Sequence, residues 1–372
     1  MMKRIGIDCR LYFQTGVGVY LRNLLHHLEK QPHEDIVFYL YVMDTDAPRI
    51  QFENKKFVKR ITDCRWHSIK EQLFFTQTLN KDNLDLMHFT YFSYPILYRK
   101  KFIATVHDVT PFLFKTGKAS TKNFLFYTIK HAFFRFIFNN QLDHARAIIT
   151  PTHTVKKQII SLFGEKYGPK ITPLYEGMDY SLVHAKPNAN LKEKYLKPFL
   201  IYVGNFYPHK NVERLIRAFS RVEQDVQLIL IGPNDFFSKR LSKLILRLKQ
   251  EKRIFFYHDP IPDDLVFFYR NAQALVHPSL SEGFGLPIVE AAYFNLLIIA
   301  SNIEIFKELL DDRYIPFHPL HVADIQNKIT YALVNRVRYR YDDMISKYSF
   351  GEMTRGTLHI YRRALDSDSM QR

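Results

Sequence analysis

The feature that most constrains this chain is an alternation that runs through it twice. Short runs of apolar, β-branched or aromatic residues are each followed by a longer stretch with helical periodicity, which is the pattern of βα units around a mainly parallel sheet. In the first series the spacing predicts strands over 4–9, 36–42, 84–88, 102–107, 147–150 and 170–174. Helices are expected over 19–28, 69–79, 122–138 and 154–162, with Thr152 placed to cap the last of these. A polar stretch with two prolines, 187–198, then separates a second series. Its strands are expected over 199–203, 227–231, 253–257, 274–277 and 296–300, with a helix over 212–222 and another opened by Asp263-Asp264. The tail over 351–365 reads as one more amphipathic helix. The expected fold is α/β, with two doubly wound domains facing a cleft: residues 1–185 together with the helix 350–366, and residues 186–349. A length of 372 residues agrees with two domains at about 150 residues each.

Charge narrows the partners. The 53 basic and 37 acidic residues leave +16, and the 26 basic against 16 acidic residues of 1–185 account for +10 of it. Anionic partners follow. No helix-turn-helix, zinc-finger or RNA-recognition signature accompanies the charge, so phosphorylated small molecules or an anionic membrane surface are expected in place of nucleic acid. Two cysteines, Cys9 and Cys64, make no disulfide framework and read as free thiols of a reducing compartment. The basic start Met1-Met2-Lys3-Arg4 is interrupted by Asp8 and Arg10, unlike a signal peptide, and no apolar run approaches the roughly 18 residues that span a bilayer. The expected location is cytoplasmic, as a soluble or peripheral protein on the inner face of the membrane.

The most informative stretch follows the apolar strand ending at His277: Pro278-Ser279-Leu280-Ser281-Glu282-Gly283-Phe284-Gly285-Leu286-Pro287-Ile288-Val289-Glu290. Pro287 suits the first turn of a helix, and Gly283 and Gly285 leave the loop open to close backbone approach. Free amides at that helix start, with the positive end of its dipole, form an anion site at the sheet edge where open α/β sheets bind ligands. Glu282 in the loop and Glu290 one turn into the helix can accept hydroxyls at two ends of one ligand. Lys210 follows another strand end and Gly204, in Val203-Gly204-Asn205-Phe206-Tyr207-Pro208-His209-Lys210-Asn211, and supplies a cation. Gly16 and Gly18 lie in Thr15-Gly16-Val17-Gly18-Val19-Tyr20, and His107 closes a strand in Val106-His107-Asp108.

Together these segments resemble the retaining glycosyltransferases of family 4, which have the two-domain GT-B fold of Rossmann-like domains. Glu282-x7-Glu290 around Gly-Phe-Gly-Leu-Pro is similar to the family signature, and Glu176-Gly177-Met178-Asp179 is similar to its domain-junction turn. The tail is similar to the last helix that returns to the first domain. The resemblance implies a donor site of Gly16, Gly18, Gly204, Lys210, Gly283, Phe284, Gly285, Leu286 and Glu290. Lys210 would neutralise the donor diphosphate and Glu290 would bind the ribose. Glu282, with the amides of Phe284 and Gly285, would hold the transferred sugar, and His107 would contact that sugar near the reacting carbon. Glu282 and His107 are the implied catalytic pair.

No metal or other cofactor is expected: there is no Asp-x-Asp in a suitable loop, and the pairs Asp311-Asp312 and Asp342-Asp343 read as turns or caps. The implied reaction moves a hexose from a nucleoside-diphosphate sugar to a saccharide or lipid-linked acceptor. It proceeds by front-side attack in which the leaving phosphate takes the acceptor proton, unlike the two flanking carboxylates of a retaining glycosidase. The opening Gly6-Ile7-Asp8-x-Arg10 with the Gly16 loop is similar to bacterial surface-polysaccharide mannosyltransferases, which favours GDP-mannose. The chain departs from the family at His209, where arginine is usual, and at Asn295 and Leu297, where the helix exit usually has glycine and proline.

Two other classes were weighed. An NAD-dependent oxidoreductase would also use doubly wound domains, but Gly16-Val17-Gly18-Val19-Tyr20-Leu21 lacks the third glycine and starts too far from its strand. A non-catalytic carbohydrate- or anionic-surface-binding protein would not need Glu282, Lys210 and Glu290 together. The aromatic stretch 122–138, with Lys122, Lys130 and Arg135, has two readings: insertion at an anionic membrane interface, or burial against the first sheet.

Overall fold

The computed structural model describes residues 2–33, 35–114 and 124–366, with the side chains of 124–130 left aside. It divides into two units, each built on one parallel sheet. The first comprises the described residues of 2–109, 124–176 and 350–366, and the second those of 110–114 and 177–349.

The first unit has seven strands: β1 (Lys3–Asp8), β2 (Ile36–Met43), β3 (Phe57–Thr62), β4 (Leu86–Phe89), β5 (Phe102–Thr105), β6 (Ile148–Thr150) and β7 (Ile171–Pro173). They are ordered β3-β2-β1-β4-β5-β6-β7, all parallel. The order reverses between β1 and β4, so the loops leaving those two strands diverge and open a crevice at the carboxyl edge. Helix Phe350–Asp366 belongs to this unit and is tied into it by polar contacts. The Tyr361 hydroxyl bonds His88 Nδ1 at 2.7 Å, and His88 Nε2 bonds Thr105 Oγ1 at 2.7 Å. Complete burial pushes the His88 imidazole down to about 3, so this link is neutral.

The second unit has six strands: β8 (Phe199–Val203), β9 (Gln227–Gly232), β10 (Ile254–His258), β11 (Leu275–His277), β12 (Ile298–Ser301) and β13 (Ile315–Phe317). Their order is β10-β9-β8-β11-β12-β13, again all parallel. Here the reversal lies between β8 and β11. The central strands are buried on both faces, which is why 199–203 reads as an unbroken apolar run. Helix Tyr180–His184 packs on helix Pro262–Asn271, and Asn188 donates to Asp264 at 2.7 Å. These contacts place 177–185 with the second unit, where the sequence reading had kept it with the first.

Strands β3 and β13 have no counterpart among the sequence expectations. In β3 the apolar positions are interrupted by Lys59 and Arg60, and Ile61 is 63% exposed, as an edge strand permits. Pro316 in β13 and Pro173 in β7 likewise sit on edge strands, where a missing N–H breaks no ladder. The helix expected over 69–79 is present over 69–81, with its middle, Glu71–Phe75, wound as a π-helix that runs into the α-helix Thr76–Lys81. The helix expected to begin at 19 begins at Val17.

Helix Phe124–His144 spans most of the aromatic stretch. Lys122 and the side chains of Phe124, Phe126, Tyr127 and Lys130 lie outside the described residues. Of the rest, Ile137 and Phe138 are buried, Phe134 meets Phe92 with ring centroids at 5.2 Å, and Phe133 and Phe136 are half exposed. Among the described residues no helix is long and apolar enough to cross a membrane.

Candidate active site

In the second unit, the loops leaving β8 and β11 meet at the point where strand order reverses. They are stitched together by backbone: the Leu280 amide donates to the His209 carbonyl at 2.8 Å. Asn211, with a left-handed φ of 61°, donates through Nδ2 to the Pro278 carbonyl at 3.0 Å and the Pro319 carbonyl at 2.7 Å. One buried amide thus fixes the loops after β8, β11 and β13. Nothing in the spacing of the motif marks Asn211 for this role.

Two glycines allow the crowding. Gly204 has φ 142°, and a Cβ on Gly232 at the end of β9 would lie 2.1 Å from the Gly204 carbonyl. Gly285 caps helix Leu286–Tyr293 with φ 93°, its carbonyl accepting the Ile288 amide at 2.8 Å, and Pro287 in the first turn has no amide hydrogen to satisfy. Gly283 and Leu286 are half-buried and Phe284 is buried with its ring edge-on to Tyr348, so the Phe284 side chain serves packing. Asn295, at φ 52°, takes the left-handed exit where the family usually has glycine.

Lys210 and Glu282 come together directly. Lys210 Nζ lies 2.7 Å from Glu282 Oε1 and 2.8 Å from Oε2, and both side chains are largely buried. His277 Nε2 at 2.9 Å and Ser279 Oγ at 2.7 Å also reach Oε1. Burial would raise the Glu282 carboxyl, but Lys210 and His277 outweigh it and hold it well below the usual carboxylate range. Burial keeps His277 below the ordinary imidazole value against the pull of Glu282. His277 and Ser279 were read in sequence only as lead-in to the motif.

Glu290 sits in a different environment. Its Oε2 accepts the Tyr269 hydroxyl at 2.5 Å, and no cation reaches it among the described contacts. Burial pushes its carboxyl up to about 7, with Asp179 adding to the rise and Tyr269 opposing it. Two carboxylates eight positions apart are therefore held in opposite states: Glu282 ionised, Glu290 poised near neutrality. Tyr269 lies on another helix, and sequence spacing carries no sign of it.

The first unit holds the other predicted residues. Gly16 is exposed, with φ 22° and open space where a Cβ would stand, and it caps helix Val17–Lys30. Gly18 lies inside that helix and not in the loop. A Cβ there would stand 2.6 Å from the Tyr12 carbonyl, so its smallness serves close packing of helix on loop. His107 lies past the end of β5, with Nε2 at 3.0 Å from the Thr90 carbonyl and Nδ1 at 3.3 Å from Glu176 Oε1. Both ring nitrogens are thus engaged within the unit.

The first unit also holds a buried ionic network that no local spacing signals. Arg10, 1% exposed, pairs with Asp8 at 2.6 Å and Glu71 at 2.7 Å, and stacks over Phe75 at 4.0 Å. Among the described residues no group of three or more His, Cys, Asp or Glu could hold a metal ion.

The loops after β8 and β11 thus bring a buried Lys210–Glu282 pair next to a glycine-capped helix start, with a second buried carboxylate, Glu290, on that helix. Residues 14–182 match the family model "Glycosyltransferase Family 4" and residues 186–349 match "Glycosyl transferases group 1", nearly the whole chain between them. The chain belongs to the family 4 glycosyltransferases. Its curated relatives include the O-antigen chain mannosyltransferase RfbU of Salmonella typhimurium, 25% identical over 81% of this chain and 80% of that one. The fold is shared with the sucrose-phosphate synthase of Thermosynechococcus elongatus, at a TM-score of 0.77 and 16% identity over 98% of this chain and 100% of that one. It is shared also with Anabaena Alr3699/HepE, solved in complex with UDP and glucose, at a TM-score of 0.75 and 15% identity over 97% and 99%. The chain thus has the GT-B fold, each of its two units being one Rossmann-like domain.

Proposed function

We propose that the protein is a retaining, metal-independent hexosyltransferase that moves mannose from GDP-mannose to a saccharide or lipid-linked acceptor in the synthesis of a cell-surface polysaccharide of the O-antigen type. The observation that carries this reading is the Lys210–Glu282 pair beside the glycine-capped start of helix Leu286–Tyr293. When the bond from the sugar carbon to the diphosphate breaks, negative charge gathers on the leaving oxygen. A fixed ammonium and aligned amides stabilise that charge as it develops. The acceptor oxygen forms the new bond on the same face, and its proton passes to the departing phosphate. Glu290 accepts the ribose hydroxyls, and Glu282 accepts hydroxyls of the transferred sugar.

Mannose is favoured by the name of the Salmonella relative and by the similarity of the opening segment to surface-polysaccharide mannosyltransferases. A location on the cytoplasmic face of the membrane agrees with a lipid-linked acceptor, with the charge of +16, and with Phe133 and Phe136, half exposed beside Arg135.

The test is donor turnover by purified protein with GDP-mannose, UDP-glucose, UDP-galactose and dTDP-glucose, in EDTA and with added Mg²⁺, with Glu282→Ala alongside. The anomeric configuration of the product is read by NMR. Turnover of GDP-mannose in EDTA with an α-linked product, lost in Glu282→Ala, is the expected result. An inverted product, dependence on Mg²⁺, or turnover of another of the four donors in place of GDP-mannose would overturn the proposal.

A further inference from the structure

The two oxygens of Glu282 are not equivalent. Oε1 accepts from Lys210, His277 and Ser279, at 2.7, 2.9 and 2.7 Å, whereas the described contacts of Oε2 come to Lys210 alone, at 2.8 Å. We propose that His277 and Ser279 are positioning residues that anchor Glu282 through Oε1, so that Oε2 becomes the sugar-accepting oxygen when a diphosphate draws Lys210 away. The inference rests on the proposed role of Glu282 and names residues that role does not include.

His277 is built for this. It ends β11, is 1% exposed, and is clamped between Tyr202, stacked at 5.7 Å and 15°, and Phe306, edge-on at 5.5 Å. Its Nδ1 is buried with no hydrogen-bond partner. A proton on Nδ1 would be an unsatisfied buried donor, so the neutral ring with hydrogen on Nε2 fits the site, and that hydrogen points at the carboxylate. Ser279 reaches the same oxygen from the first turn of the loop, and its own side chain is fully buried. Neither group carries a charge that competes for the diphosphate. Once Lys210 turns to the phosphates, a carboxylate 8% exposed would lack every partner on Oε1 without them, and would be free to rotate or to take a proton.

The anchor has a signature that a merely structural histidine would not produce. A free nucleoside diphosphate carries no sugar for Oε2 to hold, so loss of the anchor should weaken its binding far less than it slows turnover of the nucleotide sugar. The experiment compares His277→Phe, His277→Gln, Ser279→Ala and Glu282→Ala with wild type. Each is measured for binding of GDP, UDP and dTDP and for turnover of the four nucleotide sugars above.

Phenylalanine keeps the aromatic clamp and removes the donor, and glutamine restores an N–H near the Nε2 position without an imidazole. Expected are a loss of kcat of about 10- to 100-fold in His277→Phe, a smaller loss in Ser279→Ala, recovery to within a few-fold in His277→Gln, and a change of no more than about 3-fold in nucleoside-diphosphate affinity in all three. If Glu282→Ala is inactive while His277→Phe turns over at the wild-type rate, the positioning role falls and the reading of Glu282 stands. Equal loss of diphosphate binding and turnover in His277→Phe, without recovery in His277→Gln, also overturns it. If Glu282→Ala is as active as wild type, or wild type turns over none of the four sugars, the reading beneath it falls as well.

Discussion

Tyr269 donates to Glu290 at 2.5 Å with both side chains buried, and that burial pushes the Glu290 carboxyl up to about 7. A carboxyl raised above its ordinary 4.5 holds a proton in the folded protein that the unfolded chain has already released. The unliganded protein should therefore lose stability as pH rises from about 4.5 to about 7, and level off above that. Denaturant midpoints across that range, compared with Glu290→Gln, measure the effect. The variant should show the shallower slope.

The same group sets a pH dependence of ligand binding with the opposite sense. A ribose diol is best held by the ionised carboxylate, so nucleoside-diphosphate affinity should rise with pH toward about 7 and then flatten. At pH 7 about half a proton should be released per ligand bound. Calorimetric titration of GDP in buffers of different ionisation enthalpy counts that proton. Glu290→Gln serves as reference because the phosphate of GDP titrates nearby. Tyr269→Phe removes the one donor that favours the charged form, and should weaken binding at pH 7 by about 3- to 10-fold while moving the midpoint upward.

Lys210→Ala should cost stability as well as function. It leaves Glu282, 8% exposed, without its cation, at about 3–5 kcal/mol. Adding Glu282→Gln removes the uncompensated charge and should return part of that stability with no return of activity. Urea midpoints and donor turnover of the single and double variants check the pattern. Equal stability of Lys210→Ala and wild type would mean the pair is worth nothing in the folded protein.

Gly18 and Gly285 should fail for different reasons. Alanine at Gly18 places its Cβ 2.6 Å from the Tyr12 carbonyl and should cost about 1–3 kcal/mol through displaced backbone, with activity following the fraction folded. Alanine at Gly285 must hold φ 93° and crowd Phe306 at 3.1 Å. It should disturb the helix start that faces the ligand, so nucleoside-diphosphate affinity falls even where the protein stays folded. Thermal melts beside binding titrations separate the two.

Arg10 is the third test of buried charge. Arg10→Met leaves Asp8 and Glu71, at 5% and 1% exposure, facing each other with no cation between them. A loss of about 3–5 kcal/mol is expected, which denaturant titration would detect directly.

The sequence by itself determined a good deal here. Apolar runs alternating with helical periodicity fixed two parallel α/β units, because a strand buried on both faces must be apolar throughout and its crossover must be amphipathic. The glycines and Pro287 ahead of helix Leu286–Tyr293 were legible because a tight turn into a helix start favours those residue types at that spacing. Edge strands β3 and β13 were not legible, since exposure frees them from the apolar pattern.

Only the tertiary structure decided which side chains meet. Lys210 and Glu282 are 72 positions apart, and they pair because β8 and β11 flank the reversal of strand order. Tyr269 reaches Glu290 from another helix, and Arg10 finds Glu71 across 61 positions. The opposite shifts of the Glu282 and Glu290 carboxyls follow from those partners: both are buried, but Glu282 faces Lys210 whereas Glu290 meets the Tyr269 hydroxyl and the charge of Asp179. Charge state in a buried site is set by what lies within hydrogen-bond reach, and that is a property of the fold that no local spacing encodes.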